Sequence, residues 1–191
     1  MKNKLLIKSV VLGVLTASAA GPVAAQALLP ETVVTATRLS TPREEVASSV
    51  TVITRADIEA KKQRTIVDVL SGVPGLQVVQ SGGLGAQTSI FSRGSESSHT
   101  IVFIDGIEVS DTSTPNGAFD FAHLLTSNIE RVEVVRGPQS TLFGSDAIGA
   151  VINVTTTLGS GPAQYVAQVE GGSFDTVGGS LKASGSKGKL R

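Results

Sequence analysis

Ile129-Glu-Arg-Val-Glu-Val-Val-Arg-Gly-Pro-Gln-Ser-Thr-Leu-Phe-Gly-Ser-Asp-Ala-Ile-Gly-Ala-Val-Ile-Asn-Val154 is the stretch whose reading decides the fold. Arg131–Val135 and Val151–Thr155 are β-branched and read as strands. Alternation puts Arg131, Glu133 and Val135 on one face of the first strand and Val132, Val134 and Arg136 on the other. Gly137-Pro138 and Gly144 permit sharp turns between the two strands. The charges of Arg93, Arg131 and Arg136 with Glu130 and Glu133 suit ion pairs between strands, or a solvated strand face.

Outward from this stretch the pattern is a small mixed α+β core. Ser49–Ile53 is a strand. Thr54-Arg-Ala-Asp57 sets a carboxylate three residues after a Thr, the start of a short helix to about Lys62. Thr65 and Asp68 repeat that start, and Ile66, Val69, Leu70 and Val73 fall at i, i+3, i+4 and i+7, with Gly72 and Pro74 ending the second helix. Leu76–Val79 and Ser89–Ser92 are strands around the glycine-rich Gly82–Gly85. Asp105-Gly106 between two β-branched runs predicts a tight hairpin over Thr100–Val109. Asp111–Asp120 reads as a polar loop and Phe121–Leu125 as a helical turn.

Both ends differ in texture. Residues 1–27 run from a basic start (Lys2, Lys4, Lys8) through an apolar stretch to Ala25-Gln26-Ala27, the order of a secretory signal peptide cleaved after Ala27. The apolar part falls short of the roughly 20 residues of a spanning helix. Removing Lys2, Lys4 and Lys8 from the 16 basic residues leaves 13 against 16 acidic, which disfavours a nucleic-acid partner. Residues 28–43 read as an extended arm. From Gln164 the chain alternates strictly: Tyr165, Ala167 and Val169, then Val177, Gly179, Leu181 and Ala183, are separated by mostly polar partners. Transmembrane β-strands of roughly 10 residues have this pattern, and so does an ordinary surface hairpin.

Enzyme chemistry finds little support. The chain has two histidines, His99 and His123, and no cysteine. It contains no G-x-S-x-G elbow, P-loop, H-E-x-x-H or EF-hand spacing, and Gly82-Gly-Leu-Gly85 lacks the spacing of a dinucleotide-binding loop. Neither a catalytic residue, a metal site nor a cofactor is expected.

The quoted stretch resembles the signature of the plug domain of TonB-dependent outer-membrane receptors. Asp68-Val-Leu70 leading into Pro74-Gly75, Ser92-Arg93-Gly94 and Ile104-Asp105-Gly106 occur in that family's order. Glu31-Thr-Val-Val-Thr-Ala36 is similar to its TonB box. Within the family, the run from Gln80 through Ser89-Ile-Phe-Ser-Arg-Gly94 and Ser98-His99 to Phe103–Gly106 is most like the cobalamin transporters.

The resemblance implies a plug over residues 44–160 and the start of a β-barrel over 161–191. Outer-membrane transporters with 22-stranded barrels carry such a plugged lumen. It implies that Glu31, Thr32, Val33, Val34, Thr35 and Ala36 add as a strand to the periplasmic domain of TonB, a mode β-branched residues on a free arm suit. By position it puts Gln87, Ser89, Glu96, Thr114 and Pro115 at the ligand, of which Ser89 alone matches in residue type. The ligand is then cobalamin, with a ferric siderophore as the alternative. The 29 residues after Pro162 hold two strands, while the smallest membrane barrels use about 8. The expectation is a reading frame ending inside the first barrel hairpin and incompetent for transport alone, or else a free-standing periplasmic plug that binds ligand or TonB.

Overall fold

In a computed structural model, residues 32–33, 41–42, 48–114, 116–159, 161–173 and 177–186 are described. The expected signal peptide and, within the arm, Glu31, Val34, Thr35 and Ala36 lie outside them, as does Pro115. The decisive stretch forms β8 (Ile129–Arg136), a single helical turn α3 (Ser140–Phe143) and β9 (Ala150–Thr156). Gly144 ends that turn with φ at +94°, a conformation glycine adopts without strain. With β3 (Ser49–Thr54), β6 (Thr100–Ile104) and β7 (Ile107–Val109) these strands build a five-stranded sheet in the order β3-β8-β9-β6-β7. Its β6–β9 pairing is parallel and its other pairings are antiparallel, a mixed sheet. The fold is α+β.

Two short helices cover one face. In α1 (Arg55–Ala60) and α2 (Ile66–Ser71), Thr54 and Thr65 accept from the backbone N–H of Asp57 and Asp68, whose carboxylates accept in return. Such reciprocal caps satisfy N–H groups that a helix leaves open, which matters most where a helix is too short to hold itself. Packing supplies the rest. Ile58, Ile66, Val69 and Leu70 pack with Val132, Val134, Ile152 and Val154 from β8 and β9. Each fully buried Val, Leu or Ile contributes about 1.5–3 kcal/mol. On the opposite face Val50, Ile101, Val135, Ala147 and Val151 enclose Val33.

The β4 (Leu76–Gln80) and β5 (Thr88–Ser92) strands form a separate antiparallel hairpin. The expected hairpin at Asp105-Gly106 is present, with Asp105 in the left-handed region at φ +51°. Its carboxylate accepts from Thr156 N and Oγ1, both at 2.7 Å, tying the turn to the end of β9.

Phe121–Leu125 departs from expectation. It holds one i to i+3 bond, Leu124 N to Phe121 O, and no helix, while a 3₁₀ turn follows at Thr126–Asn128. The backbone there is committed elsewhere: Phe121 N donates to Thr88 O, Leu124 O accepts from Ile66 N, and Leu125 bridges Thr65.

Beyond the sheet, β10 (Gln164–Gly171) and β11 (Val177–Ser184) pair antiparallel. The register sets Tyr165 opposite Ala183, Ala167 opposite Leu181 and Val169 opposite Gly179, so the apolar positions share one face. That face is open: Tyr165, Val169 and Leu181 are 77%, 83% and 81% exposed.

Candidate functional site

The N-terminal segment is docked where a free arm was expected. Thr32–Val33 forms β1 and pairs antiparallel with β2 (Thr41–Pro42) over two residues. The Val33 side chain is fully buried in the cluster under β3, β8 and β9. On the same face of β8 the Arg131 guanidinium donates through Nη2 to Thr32 O. Its Nε lies 2.9 Å from Glu133 Oε1, a Coulombic contact whose angle is too poor for a good hydrogen bond. The partition of charges is as alternation requires. Arg131 and Glu133 face Val33, whereas Arg136 turns to the other side and donates to Pro74 O and to Thr51 Oγ1.

At the hairpin loop, Gln87 O accepts from Ser81 N at 3.0 Å, Ala86 N donates to Gly83 O, and Gln80 Nε2 donates to Gly83 O at 2.7 Å. The loop is thus built, and it carries Leu84 at its tip, 89% exposed. Exposed Gln87 and half-buried Ser89, opposite Val79, flank the Thr88 amide. That amide donates to Asp120 Oδ1 at 2.9 Å, and the same oxygen accepts from Ala122 N. Asp120 therefore ties the base of the 81–87 loop to the end of the 111–120 loop. In that second loop Thr114 Oγ1 donates to Asp111 O and, more weakly, to Ala118 O. Asp111 itself accepts from Ser113 Oγ and N, bonds that hold its carboxyl below the usual carboxylate value.

Glu96 is not brought to this place. It follows Ser92, at the far end of β5, where Ser92 Oγ donates to the buried Gly149 O. A cleft of about 180 Å³ beside β3, lined by Thr51, Ile53, Asp57, Lys61, Val69 and Val73 among others, includes none of these residues. It is also smaller than the roughly 300–1,000 Å³ of a small-molecule pocket, so a large ligand would meet the loops as an open surface. His123 lies beside Gly85 and is exposed. Among the described residues no group of acidic and histidine side chains could hold a metal ion, and no helix is long and apolar enough to cross a membrane.

Sequence reading missed Asp120, the Arg131–Thr32 contact and the close approach at Gly149. Periodicity and turn composition are local signals, and these contacts join residues 32 to 99 positions apart.

The sequence profile of the TonB-dependent receptor plug domain matches residues 42–151. The chain belongs to the TonB-dependent receptor plug family. It is 42% identical over 141 residues to the vitamin B12 transporter BtuB of Vibrio vulnificus, an alignment covering 74% of this chain and 23% of that protein. The plug fold is similar to the ferripyoverdine receptor of the outer membrane of Pseudomonas aeruginosa, with a TM-score of 0.68 and 28% identity over 84% of this chain and 21% of that one. It is similar also to the alcaligin outer-membrane receptor FauA of Bordetella pertussis, at a TM-score of 0.66 and 25% identity, covering 80% and 26%. The chain thus spans about a quarter of the length of these relatives, the part that includes the plug.

Proposed function

We propose that this chain supplies the plug of an outer-membrane receptor that takes up cobalamin, driven by force delivered through TonB. Residues 1–27 are then the export signal, 28–43 the arm with the TonB box at Glu31–Ala36, 44–160 the plug, and 161–191 the first strands of the barrel. The observation that carries the reading is the 42% identity to a vitamin B12 transporter across three quarters of this chain. Transport belongs to the closed barrel around the plug, and the β10–β11 ribbon, apolar on one face, has the alternation of lipid-facing strands. No reaction and no cofactor enter this reading.

Gln87, Ser89 and the Thr114–Pro115 turn are the proposed ligand contacts, because Asp120 holds their two loops together. Glu96 joins them only for a ligand long enough to span β5. A ferric siderophore is the second reading, favoured by the likeness to siderophore receptors at a TM-score of 0.68.

The test is a titration of the exported chain with cyanocobalamin and, separately, with a ferric siderophore, in the presence and absence of the TonB periplasmic domain. Cobalamin-linked binding of TonB that is lost on deleting residues 31–36 supports the reading. Binding of the siderophore alone replaces the ligand. A folded chain with no affinity for TonB overturns the box assignment.

A further inference from the structure

We propose that Arg131 and Glu133 are positioning residues that keep the Thr32–Val33 strand docked on the plug, so that a partner reaches this strand only after their contact with it is broken. The proposal rests on the reading of residues 31–36 as a segment that adds to a partner's sheet. Glu133 is 3% exposed in the middle of β8, between Val52 and Asn153 on the neighbouring strands. A buried carboxylate is tolerated where a cation and hydrogen bonds compensate it. Arg131, two residues earlier on the same face, provides that cation. With Nε held beside Glu133, the planar guanidinium has its second arm fixed in direction, and that arm donates to Thr32 O.

The β1–β2 ladder has little strength of its own. It pairs Thr32 with Pro42 and Val33 with Thr41, and Pro42 has no N–H to give. Docking therefore depends on the burial of Val33 and on the Arg131 bond. Both conflict with pairing elsewhere. A strand added to an external sheet needs its carbonyls directed at the new neighbour, and Thr32 O is engaged by Arg131. A strand pulled from the plug exposes Val33, whose side chain is fully enclosed by Val50, Ile101, Val135, Ala147 and Val151. The plug and the partner thus compete for one two-residue segment, and Arg131 with Glu133 sets how much the plug holds it back.

The chain contains no cysteine, so a single introduced thiol reports on one position. The experiment follows maleimide labelling of Val33→Cys in the full chain, with Ile107→Cys as an exposed reference and Ile66→Cys as a core reference. Val33→Cys is expected to label at least about tenfold more slowly than Ile107→Cys, and Arg131→Ala to raise its rate about tenfold while Ile66→Cys stays protected. Glu133→Gln, which removes the charge that fixes the guanidinium, is expected to act in the same direction. Labelling of Val33→Cys as fast as Ile107→Cys with Arg131 present overturns the proposal, and so does an unchanged rate after Arg131→Ala. If Arg131→Ala also opens Ile66→Cys, Arg131→Lys is read instead, and an unchanged Val33→Cys rate there overturns the proposal. A faster Val33→Cys with no change in TonB affinity leaves the docking contact standing and overturns the reading of residues 31–36 as the partner's strand.

Discussion

Asp120 Oδ1 accepts the Thr88 amide at 2.9 Å across 32 residues of sequence, and at 3.0 Å it also accepts the amide of Ala122. One carboxylate oxygen thus closes the loop that carries Phe119–Phe121 onto the edge of the β4–β5 hairpin. Hydrogen bonds to a charged acceptor contribute about 1.5–3 kcal/mol, more than neutral ones. Asp120→Ala should lower stability by about 1–3 kcal/mol and Asp120→Asn by less, since the amide keeps an acceptor oxygen. Urea unfolding measures both, and faster exchange of the Thr88 amide in Asp120→Ala would localise the effect. If Asp120 seats the ligand loops, ligand affinity falls along with amide protection.

Gly149 is required by space, not by its backbone angles. A Cβ there would meet Ser95 Oγ at 2.2 Å and His99 O at 3.0 Å, and the Gly149 amide donates to that same carbonyl at 2.9 Å. The serine hydroxyl can rotate away, whereas the carbonyl is held by the bond. Gly149→Ala should therefore cost about 1–3 kcal/mol, the usual penalty of overpacking a tight site. Ser95→Gly in the same chain should recover part of that loss, and a double-mutant cycle of urea midpoints checks it. Equal losses with and without Ser95 would mean that the carbonyl alone sets the penalty.

The two helix starts were legible because each is a three-residue relation: Thr54 to Asp57 and Thr65 to Asp68 carry their whole meaning within one turn. The alternation at Tyr165–Val169 and Val177–Ala183 was legible for the same reason, and even the cross-strand partners share the face that period two assigns. Phe121–Leu125 was not, because its backbone is used by Thr88, Ile66 and Thr65, all distant in sequence. The arm shows the limit most plainly. Thr32 and Val33 have the composition of a strand, but nothing in residues 31–36 tells whether that strand is free or docked. Arg131 decides it from 99 residues away.

Asp57 gives a pH dependence with a definite sign. Its carboxylate accepts from Thr54 Oγ1 at 2.6 Å and Thr54 N at 2.9 Å, bonds that hold its pKa below the usual 3.8 despite some opposing burial. A carboxyl with a depressed native pKa stabilises the fold fully above its unfolded value and loses that contribution as pH falls through the native one. The cap should therefore hold from neutral pH down to about 4 and weaken below it. Asp57→Asn should lower the melting temperature at about pH 6 more than at about pH 2.5, because protonation has already removed the wild-type advantage there. Thr54→Ala removes the other half of the cap, at about 0.5–2 kcal/mol.

The plug core and the β10–β11 ribbon should respond oppositely to the same kind of change. Leu70 is fully buried among Ile58, Ile66 and the inner strands, so Leu70→Ala should cost about 2–5 kcal/mol. Leu181 is 81% exposed on a face that nothing covers among the described residues, so Leu181→Lys should change plug stability by no more than about 0.5 kcal/mol. Placed in a membrane barrel, the same lysine would face lipid, where a midplane charge costs about 2–4 kcal/mol. The discriminating comparison is urea unfolding of the chain in water beside the yield of the barrel-containing receptor folded into lipid vesicles. A variant neutral in the first and depleted in the second identifies Leu181 as lipid-facing. A variant neutral in both makes β10–β11 a surface hairpin.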